Sequence, residues 1–168
     1  MTTVQPSLDL RNGDGTRLNF RKPLLGIDGC KGALGLSEDE VLAEIAARRL
    51  RWAFDLRTDD SERMFLRVWT RAVAAFADEK IQMPTALKDV FTWLLPPNSQ
   101  LLGVITTEQL EHVGFGTSGH IHNLISCGKL ESVGLAGNRK SVHGRRGPGG
   151  SPNVTRASVE KLLRERLF

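Results

Sequence analysis

The 168-residue chain is long enough for one ordinary domain or two small ones, and its 40% hydrophobic and 25% charged residues are typical of a globular protein. No apolar run approaches the roughly 18 residues that a membrane-spanning helix needs, which excludes a membrane span at the level of sequence. Cys30 and Cys127 lie far apart and in no paired spacing. This argues against a disulfide framework and a zinc site and favours a reducing cytoplasm.

The net charge of +4 comes from the C-terminal part of the chain. Residues 1–100 contain 14 basic and 14 acidic side chains, whereas residues 101–168 contain 9 basic and 5 acidic ones. Clustered Lys and Arg are what phosphate contacts need, so the surplus favours a nucleic-acid partner. A solvated basic face would give the same count.

The first predicted segments are an N-terminal tail over residues 1–20 and a structured unit over residues 21–80. The tail has neither the basic start nor the apolar core of a secretory signal. In the unit, "LGLSEDEVLAEIAARRL" predicts an amphipathic helix with Val41 and Ile45 on its inner face. "RTDDSERM" (57–64) predicts an exposed hairpin tip rather than an acid catalytic site.

Residues 81–103 are predicted to form a helix and a Pro-containing linker. "PTALKDVFTWLL" (84–95) places Pro84 in the first turn of that helix. The helix has an apolar stripe that consists of Leu87, Val90, Phe91 and Leu94. We expect this stripe to form part of a hydrophobic core between two units; the alternative is a dimer interface. "LLPPNSQLLGV" (94–104) then predicts a break.

Two short helices are predicted in the final unit, residues 104–168. Thr106 with Gln109 forms a capping-box pattern that opens the first helix, which ends near Gly114. "GFGTSG" predicts a turn with Phe115 packed between the helices. The second helix is expected over 118–127, with Gly128 just past its end.

The second of these helices has two contrasting faces. Its inner stripe consists of Ile121, Leu124 and Ile125. Its opposite face is polar or small and carries no charge: Ser118, Gly119, His122, Asn123 and Ser126. A helix that is apolar behind and polar in front suits base edges in a major groove.

A hairpin and a last helix complete the predicted order. Val133 and Leu135 alternate before Gly137-Asn138, a hairpin signal. "VTRASVEKLLRERLF" restarts a helix with Val159, Leu162 and Leu163 on its inner face. The unit therefore has the order helix, turn, helix, hairpin, helix.

This order, together with "ISCGKL" (125–130) and "VTRASVEKLL" (154–163), resembles the winged helix-turn-helix of excisionase-type and MerR-like DNA-binding domains. The resemblance covers roughly residues 104–166. It implies a DNA-binding unit whose second helix reads bases and whose hairpin is a wing. The wing is enlarged relative to the family's compact form, because 24 positions separate Leu130 from Val154.

A fainter copy of the pattern is predicted in residues 21–80. Apolar residues lie five and nine positions before Leu50, as they do before Leu130, if the second turn is one residue longer. Thr-Arg-Ala also recurs, at 70–72 and 155–157. The expected fold class is therefore α+β, mainly helical, with two tandem winged helix-turn-helix units, each with a small β-hairpin wing.

The predicted DNA-binding residues follow from these placements. Base edges are assigned to Ser118, His122, Asn123 and Ser126, with His120 included in the set; Asn123 is the strongest candidate because its amide can pair bidentately with adenine. Phosphates are assigned to the helix starts and basic side chains: Thr106, Thr107, Thr117, Lys129, Arg139, Lys140, Arg145 and Arg146. An ordinary polar helix face would show the same residue types.

Other chemistries find no support in the sequence. "GRRGPGG" lacks the Lys-Ser/Thr of a phosphate-binding loop, and His120 and His122 are spaced i, i+2 rather than as metal ligands on one helix face. The absence of tyrosine argues against RNA read by stacking. We expect no enzyme activity, no cofactor and no metal.

The predicted function is sequence-specific binding of double-stranded DNA by a cytoplasmic, nucleoid-associated regulator from a bacterium, phage or mobile element. One alternative is an excisionase-like architectural factor that bends DNA for a recombinase. Another is an interaction protein whose acidic N-terminal unit inhibits a protein partner. Homodimerisation and cooperative assembly on DNA are left open.

Overall fold

The computed structural model describes Leu10–Arg11, Arg17–Leu18 and residues 22–133 and 152–168. These residues form an α+β fold, about half helical, with eight helices and two small three-stranded sheets. The predicted α+β class is thereby confirmed. The helices are α1 Ile27–Leu34, α2 Glu38–Ala46, α3 Thr70–Ala77, α4 Leu87–Leu94, α5 Asn98–Leu102, α6 Thr107–Val113, α7 Ser118–Ser126 and α8 Arg156–Glu165. The strands are β1 Leu10–Arg11, β2 Arg17–Leu18, β3 Leu24–Leu25, β4 Ala53–Asp55, β5 Leu66–Trp69, β6 Val104–Thr106, β7 Ser132–Val133 and β8 Asn153–Thr155.

The two three-stranded sheets have the same topology. In the first sheet the order is β3-β5-β4, and in the second it is β6-β8-β7, with all pairs antiparallel. Along the chain, each sheet is built in the same sequence of elements: a strand, two helices, a second strand, a third strand and then a helix that follows directly. The third strand in the chain, β5 or β8, is the central strand of its sheet. A separate two-stranded ribbon pairs β1 with β2.

The backbone repeats in detail where the second helix of each set ends. The amides of Arg49 and Leu50 both donate to the carbonyl of Glu44, and those of Lys129 and Leu130 both donate to the carbonyl of Leu124. The residue before each pair is left-handed, Arg48 at φ 56° and Gly128 at φ 74°. Leu50 and Leu130 are thus equivalent positions and both are buried.

The Thr-Arg-Ala recurrence does not mark equivalent positions. Leu24 pairs with Trp69 in the first sheet, whereas Val104 pairs with Thr155 in the second. Trp69 is therefore the counterpart of Thr155, and Thr70 is the counterpart of Arg156. The identical letters lie one residue out of register because strand pairing, not residue identity, places the start of each helix.

One hydrophobic core runs through both sets of elements. It includes Phe54 and Val68 from the first sheet and Ile105 and Val154 from the second. The predicted stripe of residues 84–95 lies in it: Val90, Phe91 and Leu94 are buried, and Leu87 is partly buried. The helix itself starts at Leu87, so Pro84 precedes it.

The C-terminus of the chain is attached to the first sheet. The Asp55 amide donates to the carbonyl of Arg166 at 3.0 Å, and the Phe168 amide donates to the carbonyl of Ala53 at 3.1 Å. These bonds place the last residues along the outer edge of β4. The N-terminal and C-terminal parts of the fold are thereby joined by main-chain hydrogen bonds as well as by the core.

Several local predictions for residues 104–133 and 152–168 are confirmed. The capping box of Thr106 and Gln109 is present, and α6 ends at the left-handed Gly114. β7 and β8 pair antiparallel, while the predicted turn at 137–138 lies outside the described residues. Val159, Leu162 and Leu163 of α8 are buried. None of the helices in the described ranges is both long and apolar enough to cross a bilayer.

Candidate nucleic-acid interface

The exposed face of α7 is a continuous polar strip. At about 100° per residue, Ser118, His122, Ser126, Gly119 and Asn123 fall within an arc of roughly 140°. All five are exposed, whereas Ile121 and Leu124 on the opposite side are fully buried. The strip contains hydroxyl, imidazole and amide groups and no formal charge at neutral pH.

Two side chains of this strip differ in how they are held. The His122 ring lies over the first turn, with Nδ1 2.7 Å from the carbonyl oxygen of Ser118. The described hydrogen bonds include none from the Asn123 side chain, so its amide is free to bind an outside donor–acceptor pair. This is the arrangement that bidentate recognition of a base edge requires.

The start of α7 is capped by its own threonine. The Thr117 hydroxyl accepts from the amide of His120 at 3.3 Å, and Thr117 itself is exposed. The cap satisfies one of the free amides of the first turn and leaves the others directed outward. Thr117 can therefore contribute to a phosphate site through its hydroxyl and the neighbouring backbone.

The start of α6 is less accessible than the sequence suggested. The Thr106 hydroxyl accepts from the Gln109 amide at 3.0 Å, and the Gln109 side chain accepts from the Thr106 amide at 3.0 Å. Thr107 is 2% exposed. The assignment of Thr107 to phosphate is therefore corrected, because its side chain packs in the interior, while Thr106 remains partly exposed.

His120 lies outside the polar strip. Its Nε2 is 2.8 Å from the carbonyl oxygen of Leu56, and its ring stacks on Phe65 with a centroid separation of 4.0 Å. Burial, and to a smaller extent the charge of Arg67, lower the pKa of His120 from its usual value. The assignment of His120 to DNA is corrected, since the side chain attaches α7 to the β4–β5 hairpin.

Arg67 is a structural residue that sequence reasoning missed. Its guanidinium lies 3.9 Å from the centroid of the Phe65 ring, and its Nε donates to the carbonyl of Gly114 at 2.8 Å. Burial lowers the pKa of this arginine. A lone Arg in "FLRVW" carries no sequence signal for a partner 47 residues away.

Lys129 and Arg166 share one carboxylate of the β4–β5 loop. Lys129 Nζ is 3.0 Å from Asp59 Oδ2, and Arg166 donates from a terminal nitrogen to Asp59 Oδ1 at 3.0 Å. The hydrogen bond from Lys129, reinforced by Arg166, lowers the pKa of the Asp59 carboxyl. Lys129, predicted to bind phosphate, thus already has an anionic partner.

The basic wing residues Arg139, Lys140, Arg145 and Arg146 lie outside the described residues. Their assignment to the DNA backbone stays a prediction. The strands before and after them, β7 and β8, are paired with each other.

Both cysteines of the described part are free thiols. No three His, Cys, Asp or Glu side chains within it are grouped as metal ligands. Burial raises the pKa of the Cys30 thiol to about 12, so it stays protonated and unreactive. Cys127, at the end of α7, directs its thiol to the carbonyl of Leu124 at 3.5 Å.

Comparisons with protein-family models, with curated proteins and with solved structures found no match to this chain.

Proposed function

We propose that this protein binds double-stranded DNA in a sequence-specific manner and regulates transcription in a bacterium, phage or mobile element. The observation that carries the proposal is the strip on α7, where exposed, uncharged hydrogen-bonding groups face solvent from a helix that is buried on its other side. Such a face can enter a major groove without repelling phosphates and with donors and acceptors free to pair with bases.

The surrounding elements support this assignment. A short helix, a tight turn, a second helix, a paired hairpin and a closing helix form the order that we interpret as a winged helix-turn-helix of the excisionase and MerR type. The repeated topology of residues 22–77 is interpreted as a second unit of the same kind. Residues 134–151, between the paired strands, would be the wing that tracks the backbone.

Only the second unit is proposed to read DNA. In the first, the exposed start of α2 carries Glu38, Asp39 and Glu40. Carboxylates suit a helix N-terminus but repel phosphate. The first unit therefore serves to position α7 through the contacts of Phe65 and Leu56 with His120, and its acidic helix leaves a protein partner as the alternative role.

The decisive experiment selects duplexes from a random-sequence pool and then compares variants on the selected site. Asn123→Ala is expected to lower the preference for the selected site over random DNA by about 1–3 kcal/mol, concentrated at one base pair. Gln82→Ala, which removes an exposed side-chain amide outside α7, is the matched control and should leave the preference unchanged. Failure to enrich any sequence, or an equal loss on selected and random DNA, would refute the assignment.

A further inference from the structure

Asp59 joins the β4–β5 loop of the first unit to two cations of the second. Its two carboxylate oxygens are each 3.0 Å from a nitrogen, one of Lys129 and one of Arg166. Lys129 follows the end of α7 by three residues, and Arg166 caps the end of α8. The ends of two helices thus place one positive charge each against a single anionic group.

This arrangement matches the recognition of a phosphate. Two cationic donors that converge on a pair of oxygens of one anion can hold a carboxylate or the two non-bridging oxygens of a phosphodiester. The anion faces solvent, since the Asp59 side chain is 55% exposed, against 27% for Lys129 and 23% for Arg166. An outside anion can therefore approach without opening the core.

The equivalent position of the first unit holds a cation whose carboxylate partner lies in the preceding helix. Arg49 occupies the place of Lys129 and donates two hydrogen bonds to Glu44, a residue of α2 that lies five positions earlier in the chain. Lys129 has no such partner within α7, which carries no carboxylate. Its anion comes from a loop 70 positions earlier in the chain, so the pair can separate without disturbing α7.

We infer that Lys129 and Arg166 form a binding site for one phosphate of a DNA backbone, and that Asp59 occupies this site in the DNA-free protein. The inference rests on the proposed function and adds a regulatory element to it. Binding of DNA exchanges a carboxylate for a phosphate at the end of the reading helix. The exchange lowers affinity for every sequence, because each duplex must displace Asp59.

The test compares Asp59→Asn with Asp60→Asn on random-sequence duplex DNA. The two substitutions remove the same charge from neighbouring exposed positions, but of these two carboxylates only Asp59 takes part in a described ion pair. Asp59→Asn is expected to bind on the order of five- to tenfold more tightly, with a salt slope steeper by about one phosphate, whereas Asp60→Asn should change affinity less than twofold. Adding Lys129→Gln to Asp59→Asn should abolish the gain.

Equal or weaker binding by Asp59→Asn relative to Asp60→Asn would overturn the inference and leave Asp59 as a structural link between the units. Urea unfolding of each variant separates this outcome from a loss of folded protein. A second arm uses inorganic pyrophosphate and thermal unfolding. Pyrophosphate should raise the Tm of Asp59→Asn but not that of Asp59→Asn/Lys129→Gln.

The two arms also separate this inference from the proposed function. If pyrophosphate stabilises only the variant with both cations and no duplex binds to any variant, the phosphate site stands and DNA binding is refuted. If duplex DNA binds Asp59→Asn and Asp60→Asn equally and pyrophosphate does not raise the Tm of Asp59→Asn, DNA binding stands and the phosphate site is refuted.

Discussion

Gly114 lies very close to the main chain of Leu24, so Gly114→Ala should lower the free energy of unfolding strongly for the addition of a single methyl group. A Cβ there would lie 2.4 Å from the carbonyl oxygen of Leu24 and 3.1 Å from the Leu24 Cβ. The backbone at Gly114 is also left-handed, at φ 103°. Since the nearest obstacle is main chain, the new methyl group cannot be accommodated by rotating a side chain.

The magnitude can be built from three contributions. Placing alanine in the left-handed region costs about 1 kcal/mol. Overpacking against the Leu24 backbone costs on the order of 1–3 kcal/mol. The movement that relieves it also weakens the charged hydrogen bond from Arg67 to the Gly114 carbonyl, for on the order of 1 kcal/mol more. The expected loss in the free energy of unfolding is therefore about 3–5 kcal/mol.

Gly128→Ala provides the matched control for Gly114→Ala. Gly128 is left-handed as well, at φ 74°, but nothing lies within 4 Å of a Cβ built on it. Only the conformational cost of about 1 kcal/mol should appear. Urea unfolding followed by tryptophan fluorescence measures both variants; equal losses for the two substitutions would refute the close approach of Gly114 to Leu24.

Three further predictions concern His120, Arg48 and Arg156. Because burial lowers the folded-state pKa of His120, the unfolded chain binds more protons below pH 6.5, so stability should fall as the pH drops from 6.5 through the folded pKa. His120→Gln should flatten this dependence in urea titrations, and an unchanged dependence would contradict the burial of the ring. Arg48 is exposed and has a left-handed backbone, at φ 56°, a conformation that glycine adopts more easily than arginine. Arg48→Gly should therefore raise the free energy of unfolding by about 0.5–1 kcal/mol, and a lower Tm would contradict the left-handed conformation of Arg48. Arg156 is 8% exposed and donates to Ser99, Phe91 and Glu160 from its three nitrogens. Arg156→Lys keeps the charge but not the planar guanidinium, so it should lower the free energy of unfolding by about 1–3 kcal/mol. An unchanged urea midpoint would show that the guanidinium geometry is unimportant.

The elements that the sequence predicts well are those with local chemical causes. The capping box of Thr106 and Gln109, the left-handed glycines at 114 and 128 and the apolar spacing of Ile121 and Leu124 act within a few residues of each other. Each of them restricts the backbone wherever the rest of the chain lies, so α6 and α7 begin and end where their residues predict.

What the sequence does not predict depends on contacts between distant segments. His120 lies between the polar and apolar faces of its helix pattern but meets Leu56, 64 positions away, and Lys129 meets Asp59. Neither contact has a periodicity or a motif, because complementarity between the β4–β5 hairpin and α7 is a property of the packed units. For the same reason Thr107, a polar residue at a helix start, is buried by tertiary packing that its neighbours do not reveal.

These contacts bear on whether residues 104–168 can act alone. The end of α8 continues into residues that pair with β4, and Phe54, against which Leu167 lies, is fully buried. Arg156 at the start of α8 donates to Ser99, which precedes the second unit and is itself fully buried. Removing residues 1–103 would therefore expose apolar surface at one end of α8 and leave a buried arginine short of partners at the other.

Truncation is therefore a poor test of DNA binding. A truncated chain could lose binding because the elements that support α7 unfold, or because a residue that contacts DNA has been removed. Point variants such as Asn123→Ala and Asp59→Asn, whose side chains face solvent, test the interface without that ambiguity.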